Sequence, residues 1–186
     1  MEKERWKYIE QGDIDVYSET YVFYYKKLYN YGRKFTENTT LIEDAIQSIF
    51  ITLWNNRQRL STINSPHTYI FSSFRNHIFK EKRKLQRVSF PREDREFGIE
   101  NLITSKEATI ELNERLQKAI ASLTRRQREA IFLRFYEGLS FEEVAQIMEI
   151  SVKGTYKLIA RSLLKLKDLL EIPTIMVLTL LDRIWF

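Results

Sequence analysis

Ser140 to Leu170 read SFEEVAQIMEISVKGTYKLIARSLLKLKDLL, two helical stretches joined by a short turn, the second with two unlike faces. On a wheel turning about 100° per residue, Val152, Tyr156, Ile159, Leu163 and Leu166 gather on one side as an apolar stripe. Lys153, Lys157, Arg161 and Lys165 fall on the far side, and no acid interrupts the helix before Asp168. One face suits a core, and the other offers cations at the spacing of helical turns. A short helix and a tight turn placed before such a helix is the arrangement that lays a recognition helix in a DNA major groove. An ordinary amphipathic helix with a solvated lysine face has the same period. Such a face usually mixes both signs, and this one does not.

Outward from this stretch the chain remains helical in pattern, and no segment alternates convincingly with period two. Its 186 residues include only 5 Gly and 3 Pro, so long helices with short connections are expected. Apolar content of 44% supports a packed core rather than wholesale disorder. The net charge of +5 is compatible with a polyanionic partner without requiring one. With no Cys, a disulfide framework and a thiolate metal site are both excluded, which fits a reducing cytoplasm. The first ten residues, MEKERWKYIE, lack the apolar centre of a signal peptide. The apolar stretch from Ile172 to Phe186 is broken by Pro173 and Asp182, too short to span a bilayer, so no membrane insertion is expected. The chain reads as soluble and cytoplasmic. His67 reads as a loop residue beside Pro66, His77 as a helix-surface residue, and neither has metal-ligand spacing. No nucleotide-binding or nucleophile-elbow motif occurs, so nothing supports an enzyme or calls for a cofactor.

The fold class that follows is all-α, two small helical domains joined by a linker, the second with a helix-turn-helix. The first domain is placed at 8–86, the linker at 87–107, the second domain at 108–171 and an apolar tail at 172–186. In the first domain Asp13 to Phe35 carries aromatic and aliphatic residues at helical spacing. Leu41 to Trp54 buries Ile42, Ala45, Ile46, Ile49, Phe50 and Leu53, with Asp44, Gln47, Ser48 and Ile51 on another side. Arg57 to His67 reads as a loop, followed by a helix from about Thr68 to Lys84. In the second domain Thr124 with Gln127 and Ser140 with Glu143 fit capping boxes, and Gly138 ends the helix between them. The tether of roughly twenty residues is longer than is usual inside one compact domain.

A second basic element runs from Phe74 to Arg87, where Arg75, Lys80, Lys82, Arg83, Lys84 and Arg87 are cationic and Glu81 is the one acid. Cations beside Tyr69, Phe71, Phe74 and Phe79 combine phosphate attraction with rings able to stack on bases. The rings read better as core, and the cations as nucleic-acid contacts. Two weak sites on one tether reinforce each other through effective concentration.

These blocks resemble the extracytoplasmic-function class of bacterial RNA polymerase sigma factors, in the sigma-70 family. GDIDVYSETYVFYYKKLYNYGRKF is similar to the family's opening helix. LIEDAIQSIFITLW resembles its polymerase-clamp helix, with Asp44, Gln47, Phe50, Leu53 and Trp54 at matching positions. SPHTYIFSSFRNHIFKEKRK resembles the helix that reads and melts the minus-ten element. LTRRQREAIFLRFYEGLSFEEVAQIMEIS is close to the family's helix-turn-helix block. Ser48 stands where the clamp helix usually has a second acid, and Glu149 replaces the Gly of the turn, a left-handed position. Thr155-Tyr156-Lys157 aligns with the family's T-V-K only if Arg161 falls one place early.

The resemblance implies a promoter-specificity subunit. Core RNA polymerase would meet Asp44, Gln47, Ser48, Ile51 and Trp54. Promoter DNA would meet Asn64, Arg75, Asn76, Lys80, Lys82, Arg83 and Lys84 in the first domain. In the second it would meet Lys153, Thr155, Lys157, Arg161 and Lys165, with Tyr156 packing on the apolar stripe. Asn64 is a candidate to hold a flipped base, and equally a plain turn residue. An anti-sigma factor is a further candidate partner. Two rivals stand beside this reading: a stand-alone helix-turn-helix regulator with a sensory first domain, and an adaptor that binds only protein. The clamp-like helix argues against the first, and the two basic helices against the second.

Overall fold

The computed structural model describes residues 2–63, 65–88 and 110–185, which are helical and contain no strand. The chain divides into two compact units, Met1–Arg95 and Glu96–Phe186. Apart from its first two residues, which end a helix, the expected tether at 87–107 lies outside the described residues.

The first unit contains α1 (Glu2–Glu10), α2 (Ile14–Arg33), α3 (Thr39–Asn55), a 3-10 segment (Arg57–Thr62) and α4 (Pro66–Val88). Helix α2 begins at Asp13, whose carboxylate accepts from the Asp15 and Val16 amides at 3.1 and 3.0 Å. Asn38 opens α3 in the same way, accepting from the Leu41 amide at 3.1 Å. Each cap satisfies amides that the first turn leaves without partners. The core is built from Tyr24, Leu28 and Tyr31 of α2, the expected stripe Ile42, Ala45, Ile46, Ile49, Phe50 and Leu53 of α3, and Ile70, Phe71, Phe74 and Ile78 of α4. At Gly32 of α2, side chains of both α3 and α4 press against the backbone. A Cβ there would sit 2.9 Å from side-chain atoms of both Ile42 and Phe74.

Two features differ from expectation. The stretch read as a loop, Arg57 to His67, coils as a 3-10 segment to Thr62, and α4 then starts at Pro66. Proline suits this first helical position because its missing amide hydrogen would have no partner there. Ser65 completes the start by accepting from the Thr68 amide at 3.3 Å. His67 is therefore a helical residue, stacked on Phe71 with ring centroids 4.8 Å apart. Its Nδ1 lies 3.2 Å from the Tyr24 hydroxyl. The second difference is α1, whose Trp6 and Ile9 are buried.

The second unit contains α5 (Ile110–Ala121), α6 (Arg125–Ile131), a π-helical turn (Phe132–Tyr136), α7 (Phe141–Met148), α8 (Val152–Leu170) and α9 (Thr174–Trp185). Both capping boxes form. The Thr124 hydroxyl accepts from the Gln127 amide at 3.3 Å while the Gln127 side chain accepts from the Thr124 amide at 2.9 Å. Ser140 and Glu143 exchange the same pair at 3.1 and 2.9 Å. Gly138 at φ +69° ends the run after the π-helical turn. Glu149 takes the left-handed conformation, φ 55° and ψ 48°, that ends α7 and turns the chain toward α8. Residues set apart as a tail form α9, with Val177 and Leu181 buried. Among the described residues no helix is long and apolar enough to cross a membrane.

Candidate nucleic-acid interface

Helix α8 starts at Ser151, whose hydroxyl accepts from the Gly154 amide at 3.1 Å. Its buried residues are Thr155, Ile159, Ser162, Leu166 and Leu170. This stripe is rotated about 45° from the one drawn through Val152 and Tyr156. Hydroxyls explain the rotation. Thr155 donates to the Ser151 carbonyl at 3.2 Å and Ser162 to the Leu158 carbonyl at 2.7 Å. A hydroxyl satisfied by its own helix is buried at little cost, so these two residues pack as small apolar groups. Thr155 is fully buried and therefore leaves the DNA face on which the sequence placed it. Tyr156, expected to pack in the core, is instead 49% exposed, and Val152 is 39% exposed.

Lys153, Lys157 and Arg161 are exposed and make no hydrogen bond or ion pair with the described residues. Lys165 differs. It is half-buried, and its ammonium donates to the Ser122 carbonyl at the end of α5. Each four-residue step overshoots a full turn by about 40°, so Lys165 lies about 120° around the helix from Lys153. Beside the exposed row, the Tyr156 ring stacks on Phe141 of α7, centroids 4.0 Å apart and planes 16° from parallel. The Arg134 guanidinium lies 5.0 Å from the Phe141 ring and donates to the Leu139 carbonyl at 2.8 Å. Neither Phe141 nor Arg134 stood out in the sequence, because their role depends on a contact between two helices.

Helix α4 presents a second basic surface. Asn76, Lys80, Arg83 and Lys84 are exposed, and spacings of four and three put the first three on one face. Arg75 is half-buried, its guanidinium 4.7 Å from the Phe79 ring centroid. Lys84 donates to Glu81 at 2.7 Å, and that hydrogen bond holds the Glu81 carboxyl below the usual carboxylate range. Lys82, expected on the DNA face, points inward and donates to the Phe35 carbonyl beyond the end of α2 at 2.9 Å. Phe71 and Phe74 are buried, so they cannot stack on bases without unpacking the unit. Asn64 lies outside the described residues.

On α3, Asp44, Gln47 and Ile51 are exposed in one row at spacings of three and four, opposite the buried stripe. Ile51 is 56% exposed, an apolar side chain within an otherwise polar row. Ser48 and Trp54 are half-buried. Trp54 is wedged between the Tyr17 ring, 4.7 Å away between centroids, and the Arg57 guanidinium, also at 4.7 Å. Tyr17 is fixed in turn by donating to the Phe50 carbonyl at 3.0 Å. Burial, then the neighbouring Tyr21, push the Tyr17 phenol above its usual range, so it stays a donor. No group of acidic or histidine side chains able to hold a metal occurs among the described residues.

These surfaces fall within regions recognised by comparison with known proteins. Residues 20–88 match the family model described as Sigma-70 region 2, and residues 113–166 match that described as Sigma-70, region 4. Helices α3 and α4 lie in the first match and α6, α7 and most of α8 in the second, while α1 and α9 lie outside both. The ECF RNA polymerase sigma factor SigW of Bacillus subtilis (strain 168) is 24% identical over 169 residues, covering 84% of this chain and 89% of that protein. The fold is similar to CnrH in its complex with the cytosolic domain of CnrY, at TM-score 0.57 and 22% identity, covering 91% of this chain and 96% of that one. It is similar also to the sigma factor RpoE of Bartonella quintana, solved with the anti-sigma factor NepR, at TM-score 0.58 and 19% identity, covering 83% and 96%. With the two matched regions in order along an all-helical chain, the protein belongs to the sigma-70 family, and it is similar there to an extracytoplasmic-function member.

Proposed function

We propose that this sigma factor binds core RNA polymerase through α3 and reads a promoter through α4 and α8. As a member of its family it is a regulatory protein of transcription initiation without chemistry of its own. The observation that carries the finer reading is the row Lys153, Lys157 and Arg161, exposed on the second helix of a helix-turn-helix without a counter-charge. Three like charges at turn spacing repel one another, and a line of phosphates along a major groove relieves that repulsion. In the first unit, Asn76, Lys80 and Arg83 supply the contacts to the minus-ten element. Asp44, Gln47 and Ile51 supply the face for the polymerase clamp, with Trp54 as a braced edge. Asn64 is retained as a candidate for a flipped base. An inhibitory protein partner fits the likeness to CnrH and RpoE, each solved with another protein bound.

In vitro transcription with purified core polymerase tests the reading. Lys157→Ala with Arg161→Ala should reduce promoter-dependent transcripts at least tenfold while core binding persists. A wild-type chain that neither binds core nor directs initiation at any promoter overturns it.

A further inference from the structure

Next to the cationic row of α8 runs a second row. Val152, Tyr156, Ala160 and Leu164 follow one another at four-residue spacing, and all are exposed, Leu164 to 52%. Each step advances about 6 Å along the axis and about 40° around it. The apolar row therefore lies beside Lys153, Lys157 and Arg161 over its whole length and turns with it. Core packing does not account for it, since Thr155, Ile159, Ser162 and Leu166 occupy the buried side.

Tyr156 is the largest member of the row, and its ring is fixed by a neighbour on another helix. One face of that ring is covered by Phe141 at 4.0 Å between centroids, and Arg134 packs against Phe141 in turn. A side chain held this way has lost most of its rotational freedom before any ligand arrives, so contact with its free edge costs little further entropy. Its hydroxyl has no hydrogen-bond partner among the described residues. One turn further on stands Ala160, exposed and the smallest side chain of the row.

We propose that Tyr156 is a specificity-determining residue, its ring edge with Ala160 forming an apolar surface that receives the 5-methyl group of a thymine. The inference rests on the reading of α8 as a major-groove helix. In that groove phosphates carry no sequence information, and hydrogen-bonding groups are present on every base pair. The thymine methyl is the one apolar feature of the floor. A cationic row beside an apolar row matches a charged groove wall beside that floor. The lysines and arginine hold the helix in register, and Tyr156 discriminates at one position.

The test begins with duplex DNA selected from a random pool by the full chain bound to core polymerase. Each thymine in the selected upstream element is then replaced singly by deoxyuridine, which removes the methyl and leaves base pairing intact. The expected result is a loss of roughly three- to tenfold at one or two positions, the scale of a single apolar base contact. Tyr156→Ala should bind more weakly and become indifferent to the methyl at those positions, whereas Tyr156→Phe should keep the wild-type pattern. A flat deoxyuridine scan with the wild-type chain overturns the proposal, whatever the variants do. So does a penalty that Tyr156→Ala leaves unchanged. If Lys157→Ala with Arg161→Ala binds the selected DNA as tightly as wild type, the major-groove reading itself fails. A flat scan with binding that still depends on those two residues sinks only the thymine contact.

Discussion

Helices α4 and α8 look alike as strings of cations over an apolar stripe, and the chain uses them differently. In α4 the cations are partly committed within the fold. Lys82 caps α2 at Phe35, Lys84 pairs with Glu81, and Arg75 lies over Phe79. In α8 the first three cations are uncommitted, and only Lys165 is tied, to Ser122. A basic helix is thus not one kind of object. Charge count says how much positive potential a segment carries, while geometry says how much of it is left for a partner.

The largest expected effect tests the inner side of α8. Thr155→Arg puts an unpaired charge where a satisfied hydroxyl is fully buried, and should destabilise the second unit by about 3–5 kcal/mol, measured by urea unfolding. Unchanged stability with tighter DNA binding would return residue 155 to the DNA face. The next effect tests the outer side. Lys153→Ala, Lys157→Ala and Arg161→Ala combined should weaken binding to duplex promoter DNA at least tenfold. The plot of log affinity against log salt should flatten by about 0.9 in slope for each phosphate that is no longer neutralised. Lys80→Ala with Arg83→Ala should leave that duplex slope largely intact and impair opening of the minus-ten segment, followed with a fluorescent base.

The commitment of Lys82 makes a smaller contrast with its neighbour. Lys82→Met should lower the stability of the first unit by about 1 kcal/mol through loss of a charged hydrogen bond. Lys80→Met should leave stability unchanged and impair opening of the minus-ten segment. Identical behaviour of the two variants would erase the distinction drawn between them. The smallest effect concerns the turn. Glu149→Gly relieves a left-handed strain of about 1 kcal/mol, and the greater freedom of glycine in the unfolded chain offsets part of it. A net gain of about 0.5 kcal/mol is expected, read as a small rise in the urea midpoint.

What was legible in the sequence follows the range of the forces involved. The α3 stripe needed only Ile, Ala, Leu and Phe at spacings of three and four, and all six expected residues are buried. The capping boxes at Thr124 and Ser140, and the left-handed Glu149, depend on neighbours within a few residues, and each formed. Misplaced residues depended on something else. Thr155 and Ser162 look polar until their hydroxyls find carbonyls of their own helix. Lys82 and Lys165 look solvated until carbonyls 47 and 43 residues away arrive beside them. Helix α1 carries so many charges that Trp6 and Ile9 alone had to announce its buried side. The stack of Tyr156 on Phe141 required the angle between two helices, which no linear pattern contains.

The tie between Lys165 and Ser122, and a second between the Arg115 guanidinium and the Leu170 carbonyl at 3.3 Å, pin the distal half of α8 to α5. At the other end the Ser151 cap and the Glu149 turn fix where the helix begins. Between these anchors the helix behaves as a screw clamped at both ends. Inserting or deleting one residue would swing everything on one side of the change by about 100° and carry the cations out of line. Side chains on the exposed face of α8 can be exchanged without disturbing these anchors, but the length between Ser151 and Lys165 is held constant by the fold.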